Sequence, residues 1–239
     1  MAASKPLLVC LPGLVCDAAV WQPQVQALNA QVQCLVPSWG LRDSLEAMAK
    51  QVLAEATAET FSLVGHSMGG RVALEVMRLA PERVQRLALM STGTTPMAGG
   101  EVGEKERAGR LSLLELAQTR GMRAMGRQWA LGMVHPDRHN TPLFEAVLDM
   151  VARSNPRQLA AQQQALLNRP DATPLLPTIN CPTLVLTGKD DTWSGPAQHH
   201  AIASAIPGAE LAIVPGAGHM VTLEKPVAVT ETLRAWLAR

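Results

Sequence analysis

The chain begins with a regular alternation of short apolar runs and segments whose apolar residues have helical spacing. The apolar runs are short and end near proline, glycine or serine, which is typical of buried strands. Predicted strands cover residues 7–11, 32–36, 61–65 and 84–91, and predicted helices cover 21–30, 45–57 and 68–80. Strands that are apolar on both faces and separated by helices indicate a mostly parallel sheet covered on both sides. Right-handed crossovers make such a sheet doubly wound.

Between residues 96 and 177 the alternation stops, and helical spacing dominates. Helices are predicted there at about 104–125, 127–134, 142–154 and 157–168. The alternation then resumes, with predicted strands at 183–188 and 209–214 and predicted helices at 197–205 and 222–239. The middle segment is too apolar in places to be an ordinary loop. The pattern therefore predicts an α/β core of about six strands, formed by residues 1–95 and 178–239, and an all-helical cap formed by residues 96–177.

Composition narrows the class of protein. The chain has 239 residues, of which 47% are hydrophobic and 17% charged, so a large core can be buried and disorder is not expected. A net charge of +1 gives no reason to expect nucleic acid or a membrane as a partner. No apolar run resembles a signal peptide or a membrane span. The four cysteines lack metal-site spacing, so we expect reduced thiols in a cytoplasmic protein that needs no metal or cofactor.

The strongest chemical signal is the sequence Gly65-His66-Ser67-Met68-Gly69-Gly70, which follows a predicted strand and opens a predicted helix. In this G-x-S-x-G pattern the chain turns so sharply that the serine backbone is strained and its neighbours must be small. The serine hydroxyl then stands at the carboxyl end of the sheet, above a helix N-terminus that favours negative charge. Ser67 is therefore the predicted nucleophile, and the backbone N–H of Met68 is one predicted oxyanion donor.

A serine nucleophile needs a base, and six histidines are available. His219 follows the last predicted strand in a glycine-rich loop, at the same end of the sheet as Ser67, and is the predicted base. His66 is expected to pack, because adjacent side chains diverge at a sharp turn. The remaining four are two histidines expected to be solvated on a surface helix and two in the cap that could line a pocket: His199, His200, His135 and His139.

The acid that orients the base can come from two neighbours, Asp190 and Asp191, which follow the fifth predicted strand at the correct end of the sheet. The other position from which an acid could act, just after the fourth strand, holds none. The second oxyanion donor should come from the loop after the first strand, where the N–H of Leu14 is the candidate and Gly13 keeps the backbone accessible.

These features together resemble the α/β-hydrolase superfamily, in particular its capped bacterial serine hydrolases and esterases. The chain order serine, aspartate, histidine is that of the superfamily. The resemblance favours Asp191 over Asp190, because Gly188-x-x-Asp191 matches the family's pattern, and Gly218-His219 and Trp21 also match it. Two features depart from the family: Pro12-Gly13 replaces the common His-Gly at the oxyanion turn, and the chain starts almost directly at the third strand of fuller members.

The resemblance implies hydrolysis of a carboxylic ester with a small or medium, mainly apolar acyl group, through an acyl-enzyme. Lactone, thioester and carbon–carbon bond hydrolysis and a metal-free haloperoxidase activity remain alternatives, as does a ligand receptor with an idle triad. The oligomeric state is left open. The predicted pocket residues are Gly13, Trp129, Val134, His135 and Met220.

Two further groups of cap residues allow more than one reading. A set of apolar residues could wall the pocket or belong to the core: Met122, Met125, Leu131 and Met133, with Trp129 and Val134 already named. Three arginines, Arg120, Arg123 and Arg127, are spaced to share a helix face, which is either solvated or captures an anionic acyl group.

Overall fold

The computed structural model describes residues 5–239, and its centre is a sheet of six parallel strands. The strands are β1 (Leu7–Leu11), β2 (Gln33–Leu35), β3 (Phe61–His66), β4 (Val84–Met90), β5 (Thr183–Gly188) and β6 (Glu210–Val214). Their order across the sheet is β2-β1-β3-β4-β5-β6. Two inner strands, β3 and β5, are buried along their whole length, which explains why they are apolar on both faces.

Helices cover both faces of this sheet. The core helices are α1 (Gln22–Leu28), α2 (Leu45–Glu55), α3 (Met68–Leu79), α8 (Pro196–Ala205), α9 (Val221–Glu224) and α10 (Pro226–Leu237). Helix α2 packs against α3, and α1 packs against α10. The crossover from β1 leads to β2 at one edge of the sheet, whereas the later crossovers lead toward the other edge. Because right-handed crossovers in opposite directions place their helices on opposite faces, the two pairs lie on opposite faces of the sheet. The prediction of a doubly wound α/β fold is confirmed.

All the regular secondary structure between β4 and β5 is helical. It contains α4 (Gly100–Arg120), α5 (Met122–Ala130), α6 (Pro142–Ala152) and α7 (Pro156–Leu167), with short 3-10 helices at Pro136–Arg138 and Thr173–Thr178. Helix α4 packs on α5 and α7, and α5 packs on α6. This segment is called the helical insertion below. The division of the chain into a core and a separate cap domain stays a prediction.

Two predicted helices are divided in the structure. The helix predicted at 104–125 ends at Arg120, because Gly121 adopts φ 84° and breaks the hydrogen-bond ladder. Gly126, where the sequence indicated a break, lies inside α5, where an added Cβ would be 3.0 Å from a Val151 methyl carbon. The closing helix is divided into α9 and α10 at Pro226.

Within residues 5–239, none of the helices combines the length and the apolar character needed to cross a bilayer.

Candidate active site

Ser67 lies at the turn between β3 and α3 with a strained backbone, φ 56° and ψ −118°. The turn is so tight that a Cβ on Gly65 would lie 2.3 Å from the Gly69 carbonyl oxygen. A Cβ on Gly69 would lie 2.2 Å from the carbonyl oxygen of Leu11. Only glycine fits at these two positions, so the pattern found in the sequence is required by the close approach of β1, β3 and α3. The result is a serine hydroxyl held at the carboxyl end of the sheet.

His219 lies between Ser67 and Asp191 and contacts both. Its Nε2 is 2.8 Å from Ser67 Oγ, and its Nδ1 is 2.9 Å from Asp191 Oδ2. Because an ionised carboxylate can only accept, Nδ1 carries the proton toward Asp191 and Nε2 is left to accept the Ser67 O–H. The distance from Nε2 to Ser67 Oγ is within the reach required for proton transfer to a general base.

Asp191 is held by its own turn. Its Oδ1 accepts the backbone N–H groups of Trp193 at 2.9 Å and Ser194 at 2.8 Å. Burial alone would raise the pKa of Asp191, but the adjacent His219 and these N–H donors hold that pKa well below its ordinary range. Asp190 points elsewhere: its carboxylate is 40% exposed and lies 3.6 Å from His135 Nε2. The structure thus places Asp191, and not Asp190, against the imidazole of His219.

The loop that carries His219 is fixed by contacts that the sequence did not reveal. The Glu224 carboxylate, fully buried, accepts the backbone N–H of Gly218 at 3.0 Å and that of His135 at 2.9 Å. Arg138 Nη1 lies 3.6 Å from the same carboxylate. No motif surrounds Glu224, and its position directly after the His219 loop is the only signal that could have found it. It joins the histidine loop to the helical insertion.

His66 packs beneath this loop, as expected. Its Nε2 is 2.8 Å from the carbonyl oxygen of His219, to which it donates when protonated at that nitrogen. The ring is fully buried and meets Trp21 edge-on, with 6.5 Å between centroids. Burial, with the nearby His219, lowers the pKa of His66 to about 4, so the ring is neutral at pH 7.

The two predicted oxyanion donors lie beside Ser67, and both residues line the same cavity. Among residues 5–239, no hydrogen bond uses the backbone N–H of Leu14 or Met68. The next amide in the loop is occupied: Val15, with φ 48°, donates its N–H to Gln162 Oε1 of α7 at 2.7 Å. Gln162 is buried and was not found in the sequence. Its amide side chain holds the loop in the conformation that leaves the Leu14 N–H unused.

A cavity of about 440 Å³ opens above Ser67. Its apolar wall comes from Leu14 of the core and from Trp129, Met133 and Leu166 of the helical insertion. Of the predicted pocket residues, Trp129 lines this cavity. Gly13 does not, because it packs against the nucleophile, where an added Cβ would be 3.3 Å from Ser67 Cβ.

Three further predicted pocket residues also lie outside the lining of this cavity. Val134 is buried, and its carbonyl oxygen contacts His139 Nε2 at 2.8 Å. His135 faces the carboxylates of Asp137 and Asp190, at 3.7 and 3.6 Å. Met220 is fully buried below the histidine loop. Val134 and Met220 directly follow Met133 and His219, which do reach the cavity, and the sequence could not tell on which side of the chain the cavity lies.

The apolar residues of the insertion divide in the same way. Met133 reaches the cavity wall, whereas Met122 and Met125 are buried in the core. Leu131 is 53% exposed. With Trp129 and Val134 included, three of the six residues are core, two line the cavity and one is exposed.

Charged residues in the cavity are the main departure from the expected apolar pocket. Arg71, Glu106, Arg110 and Arg169 all line it. The arginines that the sequence singled out do not: Arg123 pairs with Glu145 and Asp149, and Arg127 with Glu145, on the surface between α5 and α6. Arg120 lies at the edge of the same outer surface. Their predicted solvated face is what the structure shows.

His199 is not solvated, contrary to the sequence-based expectation. Its side chain is fully buried because α8 packs this face on β5. Its Nε2 accepts the backbone N–H of Thr92 at 3.2 Å, and its Nδ1 lies 3.1 Å from the Gly195 carbonyl oxygen. His200 is exposed, as expected.

Comparison with known proteins supplies independent information. A family model described as the alpha/beta hydrolase family matches residues 8–232. A pimeloyl-acyl-carrier-protein methyl ester esterase of Xanthomonas oryzae pv. oryzae is 28% identical over 245 residues, covering 98% of this chain and 95% of that protein. The sn-1-specific diacylglycerol lipase ABHD11 of Mus musculus is 30% identical over 193 residues, covering 74% of this chain and 58% of that protein. The solved structure of a thermophilic esterase from Thermogutta terrifontis superposes with a TM-score of 0.87 at 26% identity, covering 98% of this chain and 90% of that one.

Proposed function

Since this chain belongs to the alpha/beta hydrolase family and is a hydrolase acting on ester bonds, we propose that it cleaves a small carboxylic ester through a triad of Ser67, His219 and Asp191. The single observation that carries this proposal is the continuous hydrogen-bonded chain from Ser67 Oγ through both ring nitrogens of His219 to Asp191. Similarity to proteins named as esterases and a lipase supports the ester as the bond cleaved.

In the first half of the reaction, Ser67 Oγ attacks the ester carbonyl carbon while His219 Nε2 takes the hydroxyl proton. Asp191 stabilises the imidazolium through Nδ1 without taking its proton. The N–H groups of Leu14 and Met68 hold the carbonyl oxygen as it becomes negative. The tetrahedral intermediate then collapses, and the bond between the carbonyl carbon and the alcohol oxygen breaks. The alcohol leaves with the proton from His219, and Ser67 remains as an acyl ester.

Water completes the reaction by the same steps. His219 removes a proton from water, the hydroxide attacks the acyl carbon, and the Ser67 oxygen leaves with that proton. The products are a carboxylic acid and an alcohol. The proton transfers from and to Ser67 use His219 Nε2, which already contacts Ser67 Oγ at 2.8 Å.

The helical insertion acts in this proposal as the cap that limits the substrate. It supplies Trp129, Met133 and Leu166 to a cavity of about 440 Å³, which suits a small or medium acyl group. The boundaries proposed for the cap, residues 96–177, enclose all four helices of the insertion.

Hydrolysis of p-nitrophenyl acetate by the purified protein tests the function. Ser67→Ala should lower kcat by about 10⁶-fold, because the nucleophile is lost. Ser204→Ala is the matched control, since Ser204 is exposed on α8 and should leave kcat within about twofold. Equal turnover by wild type and Ser67→Ala would refute the proposed mechanism.

A further inference from the structure

We propose that the ester substrate carries a free carboxylate, which Arg71 binds inside the Ser67 cavity with Arg110 and Arg169 beside it. This inference rests on the proposed function, because it names the class of substrate for the same site. It also revises the expectation of a mainly apolar acyl group.

The charges around the cavity do not balance. Three guanidinium groups, those of Arg71, Arg110 and Arg169, line it together with Ser67. Glu106 is the only carboxylate among the lining residues, so the three guanidinium groups exceed the carboxylates by two charges. Such an excess attracts an anionic ligand and strengthens its binding in a site partly shielded from water.

Glu106 is already used by two of the three arginines. Arg169 contacts both of its oxygens at 2.7 Å, and Arg110 contacts Oε1 through Nε at 3.0 Å and Nη2 at 2.9 Å. Burial opposes ionisation, but these donors outweigh it and lower the pKa of Glu106 to about 2, so it stays charged. Arg110 and Arg169 therefore already have a carboxylate partner and do not form a vacant anion site.

Arg71 has no carboxylate partner among the described residues. Its Nη1 donates to the Thr95 carbonyl oxygen at 2.9 Å, and this is the only hydrogen bond that its guanidinium makes within residues 5–239. Gly93 leaves room for the group, since an added Cβ there would be 2.8 Å from Arg71 Nη2. Gly93 also lines the cavity, which places the guanidinium at the cavity wall with donors left over.

The free state of Arg71 is electrostatically unfavourable. Burial, with repulsion from Arg169 and Arg110, lowers the pKa of Arg71 to about 9, although it remains protonated at pH 7. A bound carboxylate would replace the lost hydration and offset both like charges. The planar fork of a guanidinium matches the two oxygens of a carboxylate, which makes this anion the suitable partner.

The position of Arg71 relative to Ser67 defines the shape of the substrate. Ser67 is the N-cap of α3, and Arg71 follows it by four residues in the first turn of that helix, where both line the same cavity. Trp129, Met133 and Leu166 supply apolar surface in the same cavity for the carbon chain between the two functional groups. The substrate class is thus a short-chain ester with an ionised carboxylate at its far end.

Two matched pairs of esters test this class by comparing kcat/KM. Monomethyl glutarate and methyl pentanoate have the same chain, but only the first carries a carboxylate, on the acyl side. The ester 4-acetoxybutanoate and butyl acetate form the same comparison on the alcohol side. We expect the anionic member of at least one pair to be cleaved 10-fold to 100-fold more efficiently, on the order of one charge-assisted hydrogen-bonded pair. No preference for an anion in either pair would overturn the inference.

Substitution of Arg71 tests whether this residue causes the preference for the anionic ester. In Arg71→Gln the preference, which is the ratio of kcat/KM between the two members of a pair, should fall by at least about 10-fold. Arg78→Gln, two turns further along α3 and outside the cavity, is the matched control and should keep the preference. Unchanged discrimination in Arg71→Gln contradicts the assignment.

Ligand binding separates failure of this inference from failure of the proposed function. Glutarate should raise the Tm of wild type and of Ser67→Ala, whereas the neutral glutaramide should not, and Arg71→Gln should lose the effect. If p-nitrophenyl acetate is not cleaved at all, the proposed function fails, and the glutarate comparison still decides whether the carboxylate site exists. Equal effects of glutarate and glutaramide on wild type would refute the site even if the esterase activity is present.

Discussion

The backbone N–H of His219 donates to the carbonyl oxygen of Met133 at 2.8 Å, and so joins the proposed base to the helical insertion. The same carbonyl accepts the N–H of Met220 at 3.1 Å. Because Met133 also lines the cavity, one segment of the insertion forms the substrate wall and positions the histidine loop. Displacing Met133 would break both of these hydrogen bonds, so the position of the His219 loop depends on this segment of the insertion.

The acid can be identified by exchanging each of the two neighbouring aspartates. Asp191→Asn should lower kcat by about 10⁴-fold, because an amide no longer holds the Nδ1–H tautomer of His219. Asp190→Asn should stay within about threefold, since Asp190 is partly exposed and does not contact His219. Steady-state hydrolysis of p-nitrophenyl acetate measures both variants, and a greater loss in Asp190→Asn would reverse the assignment.

Glu224 should matter for stability as well as activity. In Glu224→Gln the buried side chain keeps its shape but loses the charge that receives the N–H groups of Gly218 and His135. We expect the free energy of unfolding to fall by about 1–3 kcal/mol and kcat to fall about 10-fold. Urea unfolding and ester hydrolysis provide the two readouts. Glu231→Gln, on the exposed side of α10, is the control, and equal behaviour of the two variants would contradict a positioning role.

Gln162 should affect kcat more than KM. Gln162→Leu removes the acceptor of the Val15 N–H and frees the loop that carries the Leu14 amide. Because this amide acts on the transition state, kcat should fall about 10-fold to 100-fold while KM for a small neutral ester changes little. Gln164→Leu is exposed on the same helix and should behave as wild type. A rise in KM at constant kcat would instead indicate that Gln162 binds the substrate.

Glu106 should make the protein sensitive to acid. Its pKa is lowered to about 2 in the folded chain from an ordinary 4.5, so the folded state binds this proton less readily than the unfolded chain. The stabilisation is complete above about pH 4.5 and is lost as the pH falls toward 2. The free energy of unfolding of wild type should therefore decline more steeply over this interval than that of Glu106→Gln. Parallel curves would contradict the ion-pair network, and Glu101→Gln, exposed on α4, is the control.

Several features of the site were predictable because they are local. The strands are continuous apolar runs, and the turn at Ser67 demands glycine at fixed distances, so both are visible in the sequence. The loop positions of Asp191 and His219 follow from parallel strands, whose carboxyl ends meet at one edge of the sheet. The choice between Asp190 and Asp191 needed the resemblance to a family, because two adjacent carboxylates differ only in direction.

The features that escaped prediction depend on contacts between distant segments. Arg71, Arg110 and Arg169 come from α3, α4 and the end of α7, and nothing in their local sequence indicates a shared cavity. His199 was expected to be solvated on a surface helix, and its burial depends on how α8 packs on β5. Glu224 and Gln162 each stabilise a loop by accepting backbone N–H groups. Every residue other than proline has such a group, so the sequence does not indicate which ones are bound.

Covalent labelling of Ser67 provides the sharpest test of the proposed nucleophile. Wild-type protein treated with a fluorophosphonate should gain the mass of one phosphonyl group in intact mass spectrometry, with the modified peptide containing Ser67, and should lose esterase activity in proportion. Ser67→Ala should gain no mass, and His219→Ala should react far more slowly because the hydroxyl loses its base. A folded wild-type protein that stays unlabelled, or that is labelled equally when Ser67 is absent, would contradict the account.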